Sequence, residues 1–212
     1  MTDVAAIAGV SAQTVSRVVN GSTQVNAETA ERVLKAMKMI GYRPNSAARA
    51  LATGHNKMIG IITFDLRAYG NARALEAIVN SAQDGHYSVN VVTVQSSTKS
   101  AITNAFNQLA RQNADGVIVN QAQLLDSRLA LPAGVPVVVV DGEIEHPYQG
   151  VQTDHAAGAE MAVRYLLGLG HRTVWHLAGP RDSYPARRRA EAWLKTLSAA
   201  GCSVPPMAYG DW

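Results

Sequence analysis

One cysteine, Cys202, is all the thiol chemistry the 212 residues hold. An internal disulfide is therefore excluded, no metal-ligand spacing surrounds the thiol, and a reducing cytosol suits it. No apolar run approaches the ~20 residues that a membrane helix needs. The first residues do not read as a secretory signal, because Thr2-Asp3 stand where a basic region belongs and no long apolar stretch follows. Internal repeats and low-complexity tracts are absent as well. So are the constellations that carry catalysis. There is no nucleophile–base set, no carboxylate pair at a recognisable spacing and no glycine loop built to cradle a phosphate. His171, Arg172 and His176 have no carboxylate or cysteine partner that would make a metal or catalytic set, and they read as structural. No enzymatic activity, cofactor or bound metal is expected.

What is present describes a globular chain. The apolar fraction is 47% and the charged fraction 17%, a balance that can bury a real core, and the length suits one ordinary domain plus a small one. The net charge of +3 is unevenly placed. Residues 1–57 hold seven basic groups against three acids, whereas the remainder holds twelve against thirteen. A basic head on a neutral body suggests an N-terminal polyanion binder. A solvated charged surface is the plain alternative, and charge alone does not decide between them.

The head has a recognisable build. Val4, Ala5 and Ala8 place small apolar groups on one side of a first helix. Gly9 supplies the permissive backbone of a tight turn, and Val10 plugs its corner. Ser11 is suited to cap a second helix whose Val15, Val18 and Val19 face inward. Ala12, Gln13, Ser16, Arg17 and Asn20 are left outside. This is the layout of a helix-turn-helix whose second helix enters the major groove, although an ordinary helical hairpin fits the same pattern. Asn26 then caps a third helix over 27–40 with Ala30, Val33, Leu34, Met37 and Ile40 inward, and Gly41 closes it. Pro44 forbids continuation. A helix of about two turns follows from Asn45 or Ser46 and ends at Gly54, too short to be stable alone in water. It reads either as a flexible linker or as a segment that folds when two copies and DNA come together.

From Met58 the pattern becomes strand–helix alternation. Strands are expected over 59–64, 88–94, 116–120 and 135–141, with helices over 73–84 and 100–112 and a helical turn near 124–131. Residues 150–153 are expected to open a new unit, followed by a helix over 154–169, a strand over 173–178, a loop over 179–185 and a helix over 186–200. Apolar strands alternating with amphipathic helices imply parallel sheets flanked by helices. Four parts are expected: a headpiece (1–44), a short helix and linker (45–57), which the resemblance named below implies to be a hinge helix, a first α/β subdomain (58–148) and a second one (149–212). Asp141 ends a buried strand, and strand C-termini in such sheets are where ligands bind.

The motifs together resemble the LacI/GalR family of bacterial transcription regulators. They are Asp3-Val-Ala-x-x-Ala-Gly-Val-Ser11, Thr14-Val-Ser-Arg-Val-x-Asn20, Gly41-Tyr-x-Pro-Asn45, Ala48-x-x-Leu51, Ile59-Gly60, Leu169-Gly-His-Arg172, Ala178-Gly-Pro180 and Gly210-Asp-Trp212. The resemblance implies an all-α helix-turn-helix headpiece and an α/β effector domain like the periplasmic binding proteins. The family continues past Trp212, so the second subdomain is expected to be incomplete. The implied partners are double-stranded operator DNA, a small-molecule effector such as a sugar, and a second copy of the chain, in the cytoplasm on the nucleoid and with no membrane. Ala12 and Gln13 would touch base edges, and Arg17 a guanine or a phosphate. Ser11, Thr14, Ser16, Asn20, Tyr42 and Asn45 would mostly contact phosphates, with Ala48 on the hinge. Leu51 would wedge into the minor groove, its plain alternative being a core leucine. Asp65, Tyr69, Asp141 and Arg189 would hold the effector, Arg189 by forking its donors onto hydroxyls or a carboxylate. Arg187 and Arg188 read as a solvated helix start. The rival to this reading is a soluble sugar-binding module without a DNA role.

Overall fold

The computed structural model describes residues 1–43, 50, 54–64, 66, 69–96, 98–120, 131–142 and 148–211. The chain divides into two compact units, Met1–Gly54 and His55–Trp212. The expected hinge residues Asn45, Ala48 and Leu51, together with Asp65 and the helical turn near 124–130, lie outside the described residues.

The first unit contains helices α1 (Thr2–Ala8), α2 (Ala12–Val19) and α3 (Ala27–Met39). Gly9 takes φ 64°, ψ 39°, the left-handed geometry that closes α1 without a Cβ penalty. Ser11 Oγ accepts from Thr14 N at 3.1 Å, and Asn26 Oδ1 accepts from Thr29 N at 2.8 Å, so both expected caps form. Val4, Ala5, Ala8, Val15, Val33 and Ala36 are the core, with Val10, Val18, Val19, Met37 and Tyr42 packed around it. The buried stripe of α3 differs from expectation. Ala36 is inside, while Leu34 is 56% exposed and Ile40 is exposed too. The small Ala36 meets a core that already contains Ala5 and Ala8. A stripe centred on Val33 and Ala36 turns Leu34 and Ile40 toward solvent.

In the second unit, the described residues form a five-stranded all-parallel sheet in the order β2-β1-β3-β4-β5. Its strands are β1 (Met58–Thr63), β2 (Ser88–Thr93), β3 (Gly116–Asn120), β4 (Val137–Val140) and β5 (Gln149–Val151). Helices α4 (Tyr69–Asp84) and α5 (Lys99–Arg111) cross between the first three strands. Phe106, Ile102 and Leu109 of α5 pack with Ile62, Val117 and Val119 of the sheet. Gly60 is required here by space rather than by dihedral, because a Cβ would lie 2.7 Å from Leu109 Cδ1. At the entrance to β1, Lys57 has φ 54° and the backbone N–H groups of Asn56 and Lys57 donate to the two carboxylate oxygens of Asp115, each at 2.8 Å.

Three expectations shift. Residues 149–151 do not open a new unit. They pair with β4, Val138 with Gln149 and Val140 with Val151, filling an edge of the same sheet. The strand expected over 173–178 shrinks to β6 (Leu177–Ala178), paired in parallel with β7 (Ala208–Tyr209). Upstream of it, Thr173 Oγ1 donates to Ser203 O and Trp193 Nε1 donates to Val174 O, so side chains occupy those backbone acceptors. Helix α7 (Tyr184–Ala199) starts two residues early, with Ser183 as its cap and Pro185 in the first turn, where the missing N–H costs nothing. It packs on α6 (His155–Gly168) through Val163, Trp193 and Leu197.

Candidate nucleic-acid interface and ligand site

In the headpiece, burial of Val15 dictates which residues face out. Ala12, Gln13, Arg17 and Asn20 are exposed, and Thr14 and Ser16 are partly so. The Ser11 cap engages Thr14 twice, through its backbone N–H and through a hydroxyl–hydroxyl bond of 2.9 Å. Asn20 Nδ2 lies 3.5 Å from Ser16 Oγ. Gln13 and Arg17 thus stand one turn apart on the polar side of α2, the spacing that lets two side chains work the same surface. Tyr42 is half-buried against the headpiece core, held by its N–H donating to Met37 O at 2.9 Å.

In the second unit, polar residues end the apolar strands. Thr63 of β1 is paired with Asn120 of β3, and Asn120 with Val140 of β4, so these ends line up along one edge. Both polar side chains are buried, and Thr63 Oγ1 and both amide atoms of Asn120 have no hydrogen-bond partner among the described residues. Buried polar groups without partners are costly, and these lie together at the carboxyl ends of β1 and β3. Asp141 follows β4 at φ 49°, donates its N–H to Val151 O and accepts from Thr153 N at 2.8 Å. That left-handed turn swings the carboxylate toward the start of α6. There, His155 Nε2 lies 3.8 Å from Asp141 Oδ1, and Arg189 Nη1 of α7 lies 3.4 Å from His155 Nδ1.

The electrostatics follow from this packing. Burial pushes the His155 imidazole below its ordinary value, with Arg189 adding to the shift and Asp141 and Asp154 opposing it. His176, stacked on Trp193 with centroids 5.4 Å apart, is lowered first by burial and then by Arg189. Burial also lowers the Arg189 guanidinium.

Of the residues expected to hold an effector, Asp141 and Arg189 come together through His155. Tyr69 is 79% exposed at the start of α4, and Asp65 lies outside the described residues. Arg187 and Arg188 pair with Glu191 on the exposed side of α7. Thr63, Asn120 and His155 were not foreseen. For Thr63 and Asn120 a signal existed, since each is the polar residue that ends an apolar strand. His155 had none, because only the fold brings it to Arg189.

A helix-turn-helix headpiece followed by a periplasmic-binding-protein-like α/β unit is the class that this architecture defines. A family model of bacterial regulatory proteins of the lacI family matches residues 1–45. A second, of periplasmic binding proteins and the sugar binding domain of the LacI family, matches residues 57–211. The chain belongs to the LacI family. It is 35% identical over 215 residues to the lactose operon repressor of Escherichia coli K12, an alignment covering 99% of this chain and 59% of the relative. It is 31% identical to the transcriptional repressor PurR of Pasteurella multocida, covering 99% and 63% respectively. The structure of the Lac repressor dimer bound to operator and the anti-inducer ONPF superposes with a TM-score of 0.81 at 33% identity, covering 99% of this chain and 64% of that one. The chain thus spans about three-fifths of the length of these relatives.

Proposed function

We propose that the chain is a sequence-specific DNA-binding transcriptional regulator, acting as a repressor, whose operator affinity is set by a small polar effector such as a sugar. It has no enzymatic role and works in the cytoplasm, on the nucleoid. The observation that carries this reading is the outward polar face of α2, capped at Ser11 and presenting Ala12, Gln13 and Arg17 from a small, net-basic unit. Gln13 has paired donor and acceptor groups suited to adenine, and Arg17 a fork suited to guanine or phosphate. Ser11, Thr14, Ser16, Asn20, Tyr42 and Asn45 position the headpiece on phosphates. Two copies take two half-sites while Ala48 and Leu51 of the paired hinges enter the minor groove between them, Leu51 unstacking a base step. The divisions at residues 44 and 57 are kept, and the second α/β subdomain starts after β5, which belongs to the first sheet, the two subdomains closing on the effector. The match to a family model that includes the sugar binding domain of the LacI family, and the names of the relatives as repressors, support this reading.

The test is a salt titration of affinity for duplexes enriched by the chain from a random pool. Log affinity should fall steeply and linearly with log salt. Arg17→Ala should weaken binding by about 1–3 kcal/mol, lost at one base position if Arg17 reads guanine and across all sequences if it holds phosphate. A weak, salt-insensitive response would sink the proposal.

A further inference from the structure

Directly after the boundary between the two units, both backbone polar groups of Lys57 are held by the second unit. Asn56 and Lys57 turn consecutive N–H groups onto one carboxylate, and the two oxygens of Asp115 accept them at 2.8 Å each. Successive N–H groups of this kind form an anion-binding nest, and the anion here is the protein's own. Lys57 O accepts from Ser88 N at 2.8 Å and from Ser88 Oγ at 3.1 Å. Asn56 Nδ2 donates to Gln112 O at 3.2 Å, and the Gln112 side chain accepts from Asn90 Nδ2. The start of β2, the end of α5 and the residue before β3 therefore converge on two residues of backbone. Burial does not demand this. Asn56 is half-buried and Lys57 exposed, so water could serve both donors. The carboxylate instead fixes a direction, and it holds Lys57 at φ 54°, a conformation that a Cβ disfavours. Strain that surrounding contacts over-determine points to a task beyond stability.

We propose that Asp115 is a positioning residue for DNA binding. Its carboxylate fixes the backbone from which the connection to the headpiece departs, and thereby the half-site spacing that two copies accept. This rests on the reading of the chain as a regulator that binds DNA in pairs. A plain tether makes a different demand. Freeing residues 55–57 lengthens a connection of about eleven residues to about fourteen, and effective concentration falls with about the −3/2 power of length. Affinity then drops by less than about 2-fold. A fixed departure point supplies order in advance. Losing it should cost ~10-fold or more, the ordering of about one residue.

The experiment compares a duplex enriched by the full chain from a random pool with an unselected duplex at the same salt. Asp115→Ala should bind the enriched duplex at least ~10-fold weaker and the unselected one equally well. It should also lose discrimination against duplexes with one or two base pairs added or removed between the half-sites, a change that lost stability alone does not produce. Asp115→Asn carries the same charge as Asp115→Ala but keeps one acceptor oxygen, and it should recover part of both properties. Trp175, Trp193 and Trp212 all belong to the second unit, so their fluorescence in urea gives the folded fraction of each variant under the binding conditions. A loss below about 2-fold, an unchanged spacing preference, or equal weakening on both duplexes in step with the folded fraction overturns the proposal while leaving the regulator reading intact. Enrichment of no duplex by the parent chain overturns the regulator reading, and the role of Asp115 in DNA binding with it.

Discussion

At the scale of single residues, two side chains outside the headpiece carry more than their neighbourhood in sequence suggests. Asp115 accepts from two consecutive backbone N–H groups, Asn56 and Lys57, at the point where the chain enters β1. Lys57 is held there in a left-handed conformation that a lysine rarely adopts, its ammonium 4.4 Å from the Tyr87 ring centroid. Asp115→Ala strands both donors near the surface and should cost about 1–2 kcal/mol of stability in urea unfolding, discounted for partial solvation. Its second signature is faster hydrogen exchange at the amides of Asn56 and Lys57, and unchanged exchange there would refute the clamp. His176 supplies a pH effect of defined sign. Its folded-state value lies below 6.5, so the folded protein binds fewer protons than the unfolded chain in that range. Its contribution is complete above 6.5 and is lost as pH falls through the lowered folded value. His176→Phe should flatten the part of the acid unfolding curve below 6.5, and an unchanged curve would mean that His176 is not linked to stability.

At the scale of elements, the caps and the close helix–sheet contacts set the ledger. Ser11 both satisfies the first turn of α2 and holds Thr14, so Ser11→Ala should lower headpiece stability by about 1 kcal/mol, visible as earlier melting. Asn26, Thr98, Asp154 and Ser183 repeat the device at α3, α5, α6 and α7. Gly60→Ala acts differently. It drives a methyl into Leu109, a fully buried residue, and should destabilise the second unit by about 1–3 kcal/mol unless α5 shifts outward. Chemical denaturation distinguishes the two outcomes. Caps and periodic apolar faces were legible in the sequence because both are local. The ends of α7 and β6 were not, since Pro185 is tolerated in a first turn and Trp193 removes Val174 from the ladder through a long-range bond.

At the scale of the whole molecule, the proposal of two headpieces on one two-fold site makes a geometric demand. Half-sites must lie on the same face of the duplex. Inserting about 5 base pairs, half a helical turn, between them should abolish cooperative binding, and about 10 should restore the facing though not the hinge contacts. Gel-shift titration of the three spacings checks this, and equal affinities at all of them would refute the paired arrangement.

The sequence by itself determined the three headpiece helices, the Ser11 and Asn26 caps, the outward Gln13 and Arg17, and the alternation of strands and helices after Met58. Each is a short-range free-energy preference that a few neighbouring residues settle. Only the tertiary structure decided that Ala36 rather than Leu34 is buried, that 149–151 completes the first sheet, and that Thr63 and Asn120 stand side by side. It alone brought Asp141, His155 and Arg189 into one polar site. Strand register and helix packing couple residues dozens of positions apart. That coupling is invisible in any local window, and it decides which polar side chains are brought together.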